Sequence, residues 1–278
     1  MPIISFISQL AEPEQSAWLP LLSAKLPNER IKLDKDLSFE QKQLCEIAIV
    51  ANPAVDVLSQ YPKLIWVQSL WAGVDQLVAQ LTKNRKAPSF KLVRLIDPIL
   101  ANTMSEAVLT WVLYLHRDMP KYLQQQKLSQ WLQHRYVLPQ ERTIGILGLG
   151  KLGEQSALRL HENGFNVLGW SQSEKSINGV ECFSGSKGLT NMAKQCHILI
   201  CLLPLTSNTY QLINDNLLQK LPQGASVINF ARGGIVANEA LINNLDSGHL
   251  EHAILDVFDQ EPLNENDVFW SHEKITVL

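Results

Sequence analysis

Only four of the 278 residues are cysteine, and Cys45, Cys182, Cys196 and Cys201 show no C-x-x-C spacing. That scarcity argues against a disulfide framework and points to free thiols in a reducing compartment. Cys196 and Cys201 lie in or beside an apolar run, where cysteine behaves as a small apolar residue. No apolar run approaches the ~18 residues needed to cross a membrane. The amino terminus, Met1-Pro2-Ile3-Ile4-Ser5-Phe6-Ile7, lacks the basic n-region of a signal peptide and reads as a first strand, so the cytoplasm is the expected compartment. Charge of one sign is also missing. The 24 basic residues are scattered against 27 acidic ones for a net charge of −3, which gives a nucleic-acid partner no support. No metal site, internal repeat or low-complexity segment is expected. What remains, 46% hydrophobic and 18% charged residues, fits a soluble globular chain of two ordinary domains or one large one.

Apolar strand candidates alternate with helix candidates along the whole chain. Ile3–Ile7 is followed by a helix around Gln15–Lys25, whose stripe is Trp18, Leu19, Leu21, Leu22 and Leu26. Ile47–Ala51, Leu64–Ser69 and Phe90–Leu95 read as strands, with helices at Val55–Tyr61 (opened by Asn52-Pro53) and Val74–Leu81. Such alternation implies a parallel, doubly wound α/β sheet. Asp97-Pro98 breaks the pattern, and Asn102-Thr103-Met104-Ser105-Glu106 supplies a helix start. Ala107–Arg117 is apolar on more than one side, so it is either buried or shared with a second copy. Trp131 to Pro139 reads as a connecting loop. Further on, His197–Leu203, Ser226–Phe230, Ala253–Val257 and Ile275–Leu278 read as strands, with a helix at Asn238–Asp246.

The sharpest motif is Gly148-Leu149-Gly150-Lys151-Leu152-Gly153. It follows the apolar stretch Thr143–Leu147 and precedes a helix-length segment, Glu154–Asn163, closed by Gly164. Phe165–Trp170 then reads as a second strand. Three glycines in a strand–turn–helix–strand unit of ~30 residues form a dinucleotide-binding fingerprint. The first glycine allows the tight turn, and the second lets backbone N–H groups approach a pyrophosphate. The third lets helix and strand pack closely. Gly148, Gly150, Lys151, Leu152 and Gly153 are the expected cofactor contacts here. A glycine-rich turn in some other α/β protein is the alternative.

Ligands of an open parallel sheet sit beyond the carboxyl ends of its strands. Three segments fall there: Leu202-Leu203-Pro204, Asn229-Phe230-Ala231-Arg232-Gly233-Gly234, and Asp256 through Glu261-Pro262. An arginine among small residues at a strand end can hold a carboxylate and a neighbouring carbonyl oxygen with its planar fork. A surface ion pair is the plainer reading of Arg232, a solvated loop acid that of Glu261, and a turn cap that of Asp256.

The fingerprint, Asn229–Ile235 and Asp256 through Glu261-Pro262 together resemble the D-2-hydroxyacid dehydrogenases, closest to their glyoxylate/hydroxypyruvate reductase A branch. Gln68-Ser69-Leu70-Trp71-Ala72-Gly73-Val74-Asp75 and Trp170-Ser171-Gln172-Ser173-Glu174-Lys175 extend the likeness over essentially the whole chain. It implies two doubly wound units: a flavodoxin-like substrate domain over residues 1–101 and a Rossmann dinucleotide-binding domain over 102–278, the latter starting with a linking helix. It further implies that Arg232 binds the carboxylate of a small 2-keto acid and polarises its carbonyl. Glu261 would hydrogen-bond a catalytic histidine, and Asp256 would hold the nicotinamide carboxamide. Leu203, Pro204 and Ala231 would line the cofactor. Ala72 and Gly73 would offer N–H groups to the substrate, Trp71 would shape its pocket, and Met104 would lie near the cleft. The linking helix would also pack in a homodimer.

An NAD enzyme usually carries an acid at the end of its second strand for the ribose hydroxyls. Here Trp170-Ser171-Gln172-Ser173 has none, and Ser171, Ser173 and Lys175 are available to a 2′-phosphate. NADP(H) is therefore the expected cofactor, with NAD(H) possible, although Gln172 stands where the related reductases tend to carry arginine and Glu174 adds an opposing charge. The family's histidine follows the last strand in a Pro-His pair, which would fall beyond Leu278. His272 lies nearest, but it precedes that strand and is expected in a loop. Two readings stand: a sequence recorded short of the enzyme's end, favoured by a strand with no cap after it, or a natural short form. As written, the chain is expected to bind NADPH and reduce keto acids poorly. A dinucleotide-sensing protein of the corepressor kind, and a Rossmann enzyme of unrelated chemistry, are the rival readings.

Overall fold

The computed structural model describes residues 3–83 and 88–278; Met1 and Pro2 of the amino-terminal strand reading lie outside them. The chain divides into two units, Met1–Ile96 and Asp97–Leu278. The first runs β1 (Ile3–Ser8), α1 (Glu12–Lys25), β2 (Arg30–Leu33), α2 (Phe39–Leu44), β3 (Ile47–Ala51), α3 (Val55–Leu58), β4 (Trp66–Ser69), α4 (Asp75–Thr82) and β5 (Lys91–Val93). Its strands pair in parallel in the order β2-β1-β3-β4-β5, the flavodoxin-like arrangement whose switch point lies between β1 and β3. Alternation along the strands builds a core on each face. Ile4, Phe6, Ile49 and Ala51 point one way, and Ile7, Ala48, Val50 and Val67 the other, as period-2 side chains must.

A polar network crosses one of these faces. The Tyr61 hydroxyl donates to Asp34 Oδ1 at 2.5 Å and bonds Ser5 Oγ at 2.8 Å. Lys42 Nζ pairs with Asp34 at 2.7 Å. Burial, and then the Asp34 hydrogen bond, push the Tyr61 phenol well above its usual value, so it stays a donor.

The second unit runs α5 (Pro98–His116), α6 (Met119–Lys127), β6 (Thr143–Leu147), α7 (Lys151–Glu162), β7 (Asn166–Ser171), β8 (Glu181–Ser184), α8 (Gly185–Ala193), β9 (Ile198–Cys201), α9 (Asp215–Leu218), β10 (Ala225–Asn229), α10 (Asn238–Asp246), β11 (Leu250–Leu255) and β12 (Ile275–Val277). Its strands also pair in parallel, in the order β12-β11-β10-β9-β6-β7-β8. This is a Rossmann sheet, and the chain reverses direction across it between β6 and β9. Ile144, Ile146, Ile198, Ile200, Ile228 and Ile254 face α5 and α7, while Leu147, Leu199, Cys201, Val227 and Leu255 face the opposite core. On α5, Val108, Val112 and Leu115 are buried at the i, i+4, i+7 spacing of one helix face, in one cluster with Ala157 and Leu160 of α7.

Several expectations shift. The helix expected from Asn102 begins at Pro98. Asp97 Oδ1 accepts the Ile99 N–H at 2.8 Å, so an aspartate cap with proline in the first turn starts it. Its apolar face is largely spent on α7, leaving Ile99 and Leu113 exposed. Helix α1 also starts early, with Pro13 in its first turn but no side-chain cap at Ala11. Only Trp18, Leu19 and Leu22 of its stripe pack on the sheet; Leu21 is 61% exposed and Leu26 is exposed as well. Strands β2 and β8 and helix α6 had no sequence signal strong enough to assign them. Both strands lie at sheet edges, where partial burial dilutes alternation. No described helix is long and apolar enough to cross a membrane.

Candidate active site

In the second unit the glycine loop caps β6. Gly148 adopts φ +102°, a left-handed conformation open to glycine at little cost, and its N–H donates to the Trp170 carbonyl of β7 at 2.8 Å. Gly150 is the N-cap of α7, and a Cβ placed on it would meet nothing within 4 Å. A Cβ on Gly153 would lie 1.8 Å from the Gly148 carbonyl oxygen, so helix and turn are in direct backbone contact there. These are three different demands, and they match the three glycine roles of a pyrophosphate cradle: turn, open approach and close packing. The first turn of α7 presents its unpaired N–H groups at Lys151 and Leu152, where a helix favours negative charge. The residues present therefore fit a dinucleotide.

Leu203 and Pro204 leave β9 beside this loop. Thr209 fixes their path: its hydroxyl donates to the Pro204 carbonyl at 2.6 Å and accepts the Thr206 N–H at 2.8 Å. At the end of β7, Ser171 is 9% exposed, and its hydroxyl donates to the Ser173 carbonyl at 2.6 Å. With its proton so committed, Ser171 shapes the turn in this arrangement rather than donating outward. Gln172, Ser173, Glu174 and Lys175 are exposed.

Strand β10 carries Ala231 and Arg232 at its end. The Arg232 guanidinium is half-buried and its Nη1 donates to the Ala231 carbonyl at 2.7 Å. A Cβ on Gly233 would come within 2.0 Å of the Phe258 carbonyl carbon. The arginine loop thus lies directly on the backbone of the segment after β11. In that segment the Asp256 N–H donates to the Asn229 carbonyl at 3.1 Å, and Glu261 Oε1 accepts the Phe258 N–H at 2.9 Å. Burial, and secondarily Glu261, hold the Asp256 carboxyl above the usual carboxylate range. Gly148–Gly153, Leu203-Pro204, Ala231-Arg232 and Asp256–Glu261 therefore all leave the carboxyl edge of one sheet.

His272 lies in a loop, as expected. Its Nδ1 accepts the Lys274 N–H at 3.1 Å and its Nε2 faces Asp246 at 3.3 Å. Met104, implied near the cleft, packs against the cluster beneath α5. Trp71, Ala72 and Gly73 belong to the first unit, at the carboxyl end of β4. The Trp71 N–H donates to Ser69 Oγ at 3.0 Å, the Ala72 carbonyl accepts Arg94 Nη1 at 3.3 Å, and the Trp71 ring meets Trp18 edge-on at 6.5 Å. Among the described residues, no group of three or more His, Cys, Asp or Glu side chains is placed to hold a metal ion.

Sequence reasoning gave no role of their own to Asn229 and Gly233, and passed over Thr209. An asparagine ending a strand two residues before a turn peptide is a recognisable Asx-turn signal. The partner that Gly233 approaches is 25 positions away and has no local signature.

The second unit is thus the dinucleotide-binding half of a two-unit α/β protein. A family model described as D-isomer specific 2-hydroxyacid dehydrogenase, NAD binding domain, matches residues 109–278, and the chain belongs to that family. Solved structures agree over nearly all of its length. A D-isomer specific 2-hydroxyacid dehydrogenase of Xanthobacter autotrophicus Py2, in complex with NADPH and MES, is 34% identical with a TM-score of 0.91, covering 99% of this chain and 87% of that one. The NADPH-dependent glyoxylate/hydroxypyruvate reductase of Sinorhizobium meliloti, in complex with NADP and sulfate, is 31% identical with a TM-score of 0.89, covering 100% and 87%. A family protein from Klebsiella pneumoniae 342 is 32% identical with a TM-score of 0.88, covering 99% and 86%.

Proposed function

We infer that this chain is an NADPH-dependent reductase of small 2-keto acids, such as glyoxylate or hydroxypyruvate. The observation that carries this reading is the placement of Arg232 at the end of β10, on the same sheet edge as the glycine loop. Two similar proteins, named as a dehydrogenase holding NADPH and an NADPH-dependent reductase, support the choice of reaction and cofactor. Family membership favours an oxidoreductase over a dinucleotide sensor.

In this reading Gly148, Gly150, Lys151, Leu152 and Gly153 hold the cofactor's pyrophosphate, and Ser173 and Lys175 serve its 2′-phosphate. Leu203, Pro204 and Ala231 line it, and Asp256 takes the carboxamide. When bound, NADPH supplies the hydride. Arg232 grips the keto acid's carboxylate and carbonyl oxygen through a charged fork, orienting the carbonyl and stabilising the negative charge that develops on it. For the first unit, we assign substrate contacts to the Ala72 and Gly73 N–H groups and to Trp71. Glu261 would hydrogen-bond the histidine acid that the family places after the last strand, and its carboxylate would favour that histidine's charged form. A homodimer in the cytoplasm completes the proposal; exposed apolar residues such as Ile99 and Trp131, the latter 92% exposed, support association.

The test follows the loss of NADPH absorbance with glyoxylate and hydroxypyruvate, compared with NADH. Arg232→Ala is expected to lower kcat/KM by ~100-fold or more while leaving NADPH affinity within a factor of about two. Retained turnover in Arg232→Ala, or a clear preference for NADH, would refute the corresponding part of the reading.

A further inference from the structure

Asn229 ends β10 with a side chain that is 0% exposed and bonded on both sides. Its Oδ1 accepts the Ala231 N–H at 3.1 Å, and its Nδ2 donates to the Arg232 carbonyl at 3.0 Å. Arg232 Nη1 returns to the Ala231 carbonyl at 2.7 Å. The Asn229 and Arg232 side chains therefore hydrogen-bond three successive peptide groups, from Phe230–Ala231 to Arg232–Gly233. The amide orientation is forced, because reversing it would set oxygen against the Arg232 carbonyl and N–H against the Ala231 N–H. The backbone carbonyl of the same residue takes the Asp256 N–H at 3.1 Å. One buried side chain and its own peptide thus tie the arginine loop to the segment that carries Asp256 and Glu261.

We propose that Asn229 is a positioning residue, which sets the Arg232 guanidinium for the carboxylate of a 2-keto acid by holding the Ala231–Arg232 backbone from both sides. The idea rests on the reading of Arg232 given above. Aspartate is the informative replacement. It keeps an acceptor for the Ala231 N–H but, when ionised, has nothing to donate to the Arg232 carbonyl. Protonation restores that donor. Alanine removes both bonds.

The experiment uses the full chain saturated with NADPH and titrates it calorimetrically with oxalate, which offers the same carboxylate-and-oxygen face as a keto acid and is not reduced. Arg232→Ala is expected to weaken oxalate by ~100-fold, and Asn229→Ala by ~10-fold, the loss of a buried, charge-coupled hydrogen bond. NADPH affinity stays within about twofold in both. The decisive variant is the double one. If Asn229 acts through Arg232, adding Asn229→Ala to Arg232→Ala weakens oxalate no further. Asn229→Asp shows a loss like that of alanine at neutral pH and recovers, relative to native protein, as the pH falls.

A double variant ~1000-fold weaker than native, the product of the single losses, would mean independent effects and overturn the proposal. So would an Asn229→Ala protein that binds oxalate normally while Arg232→Ala does not. Native protein that binds NADPH but no oxalate, or an Arg232→Ala protein that binds it unchanged, removes the underlying reading and this inference with it. Loss of NADPH binding in both Asn229 variants would show a role in the whole domain and also overturn it.

Discussion

Replacing Gly150 and Gly153 separately with alanine separates the two jobs of the phosphate loop. At Gly153 the new Cβ would stand 1.8 Å from the Gly148 carbonyl oxygen, whereas real Cβ atoms essentially never come within 3.0 Å. The turn and α7 must therefore part by at least 1.2 Å, and both sides of the contact are backbone. Overpacking of this kind costs about 1–3 kcal/mol, against which the better helix propensity of alanine returns at most about 1 kcal/mol. A net loss of ~2 kcal/mol lowers Tm by roughly 4–8 °C for a unit of this size. Parting the loop also disperses the N–H groups aimed at the pyrophosphate, so NADPH affinity falls together with stability. At Gly150 the backbone is extended, φ −75°, and the new methyl meets nothing in the protein. Gly150→Ala should lower Tm by only about 2–4 °C, since glycine is the better N-cap and alanine there costs on the order of 1 kcal/mol. NADPH must approach through the space that methyl takes, and its Kd is expected to rise ~10-fold or more. Thermal melts and fluorescence titration with NADPH read both quantities. A Gly150→Ala protein that binds NADPH normally would refute the cradle as placed. A Gly153→Ala protein as stable as native would refute the packing argument.

Two further outcomes follow from particular side chains. His252 is 4% exposed, and burial first, then His272, depress its pKa to about 4. The unfolded chain takes up a proton near 6.5 and the folded one does not, so the stability contribution is present above that value. It falls by about 3 kcal/mol as the pH drops from about 6.5 to 4. Burial depresses His116 and His197 in the same sense. His252→Gln, able to keep the bond to Thr276 Oγ1 (2.8 Å in the native chain), should flatten the pH dependence of urea unfolding; an unchanged slope would refute the assignment. Lys175→Ala is expected to raise KM for NADPH ~5-fold and leave KM for NADH alone, as loss of one exposed cation near a phosphate would. Equal changes in both would remove Lys175 from 2′-phosphate recognition.

What was legible in the sequence follows physical range. The central strands declared themselves because a parallel sheet covered on both faces needs continuous apolar runs, and Ile47–Ala51 and the helix Asn238–Asp246 match their elements residue for residue. The edge strands Arg30–Leu33 and Glu181–Ser184 did not, since each has one paired neighbour and contributes little to the core. The start of α5 was misplaced for a local reason. Asp97-Pro98 was taken as a break, although an aspartate before proline is also how a helix begins.

The site divides along the same line. Glycine identity is visible in a sequence because backbone conformation and close approach exclude other side chains, so the geometry of the loop was readable from Gly148, Gly150 and Gly153. The hydrogen bond of a hydroxyl is not encoded that way. Ser171 looked like a phosphate ligand by type and position, yet its proton goes to a carbonyl two residues on, where the turn competes with any ligand for it. In the proposed reading, recognition of the 2′-phosphate therefore rests on Lys175 and the exposed Ser173. The same competition works in favour of Arg232. Its guanidinium presents five N–H donors in a planar fork, so the bond to the Ala231 carbonyl does not by itself exhaust it. A lysine there would spend its point charge on a single geometry. Arginine at the end of β10 thus serves its own loop, through the Ala231 carbonyl, as well as the proposed substrate.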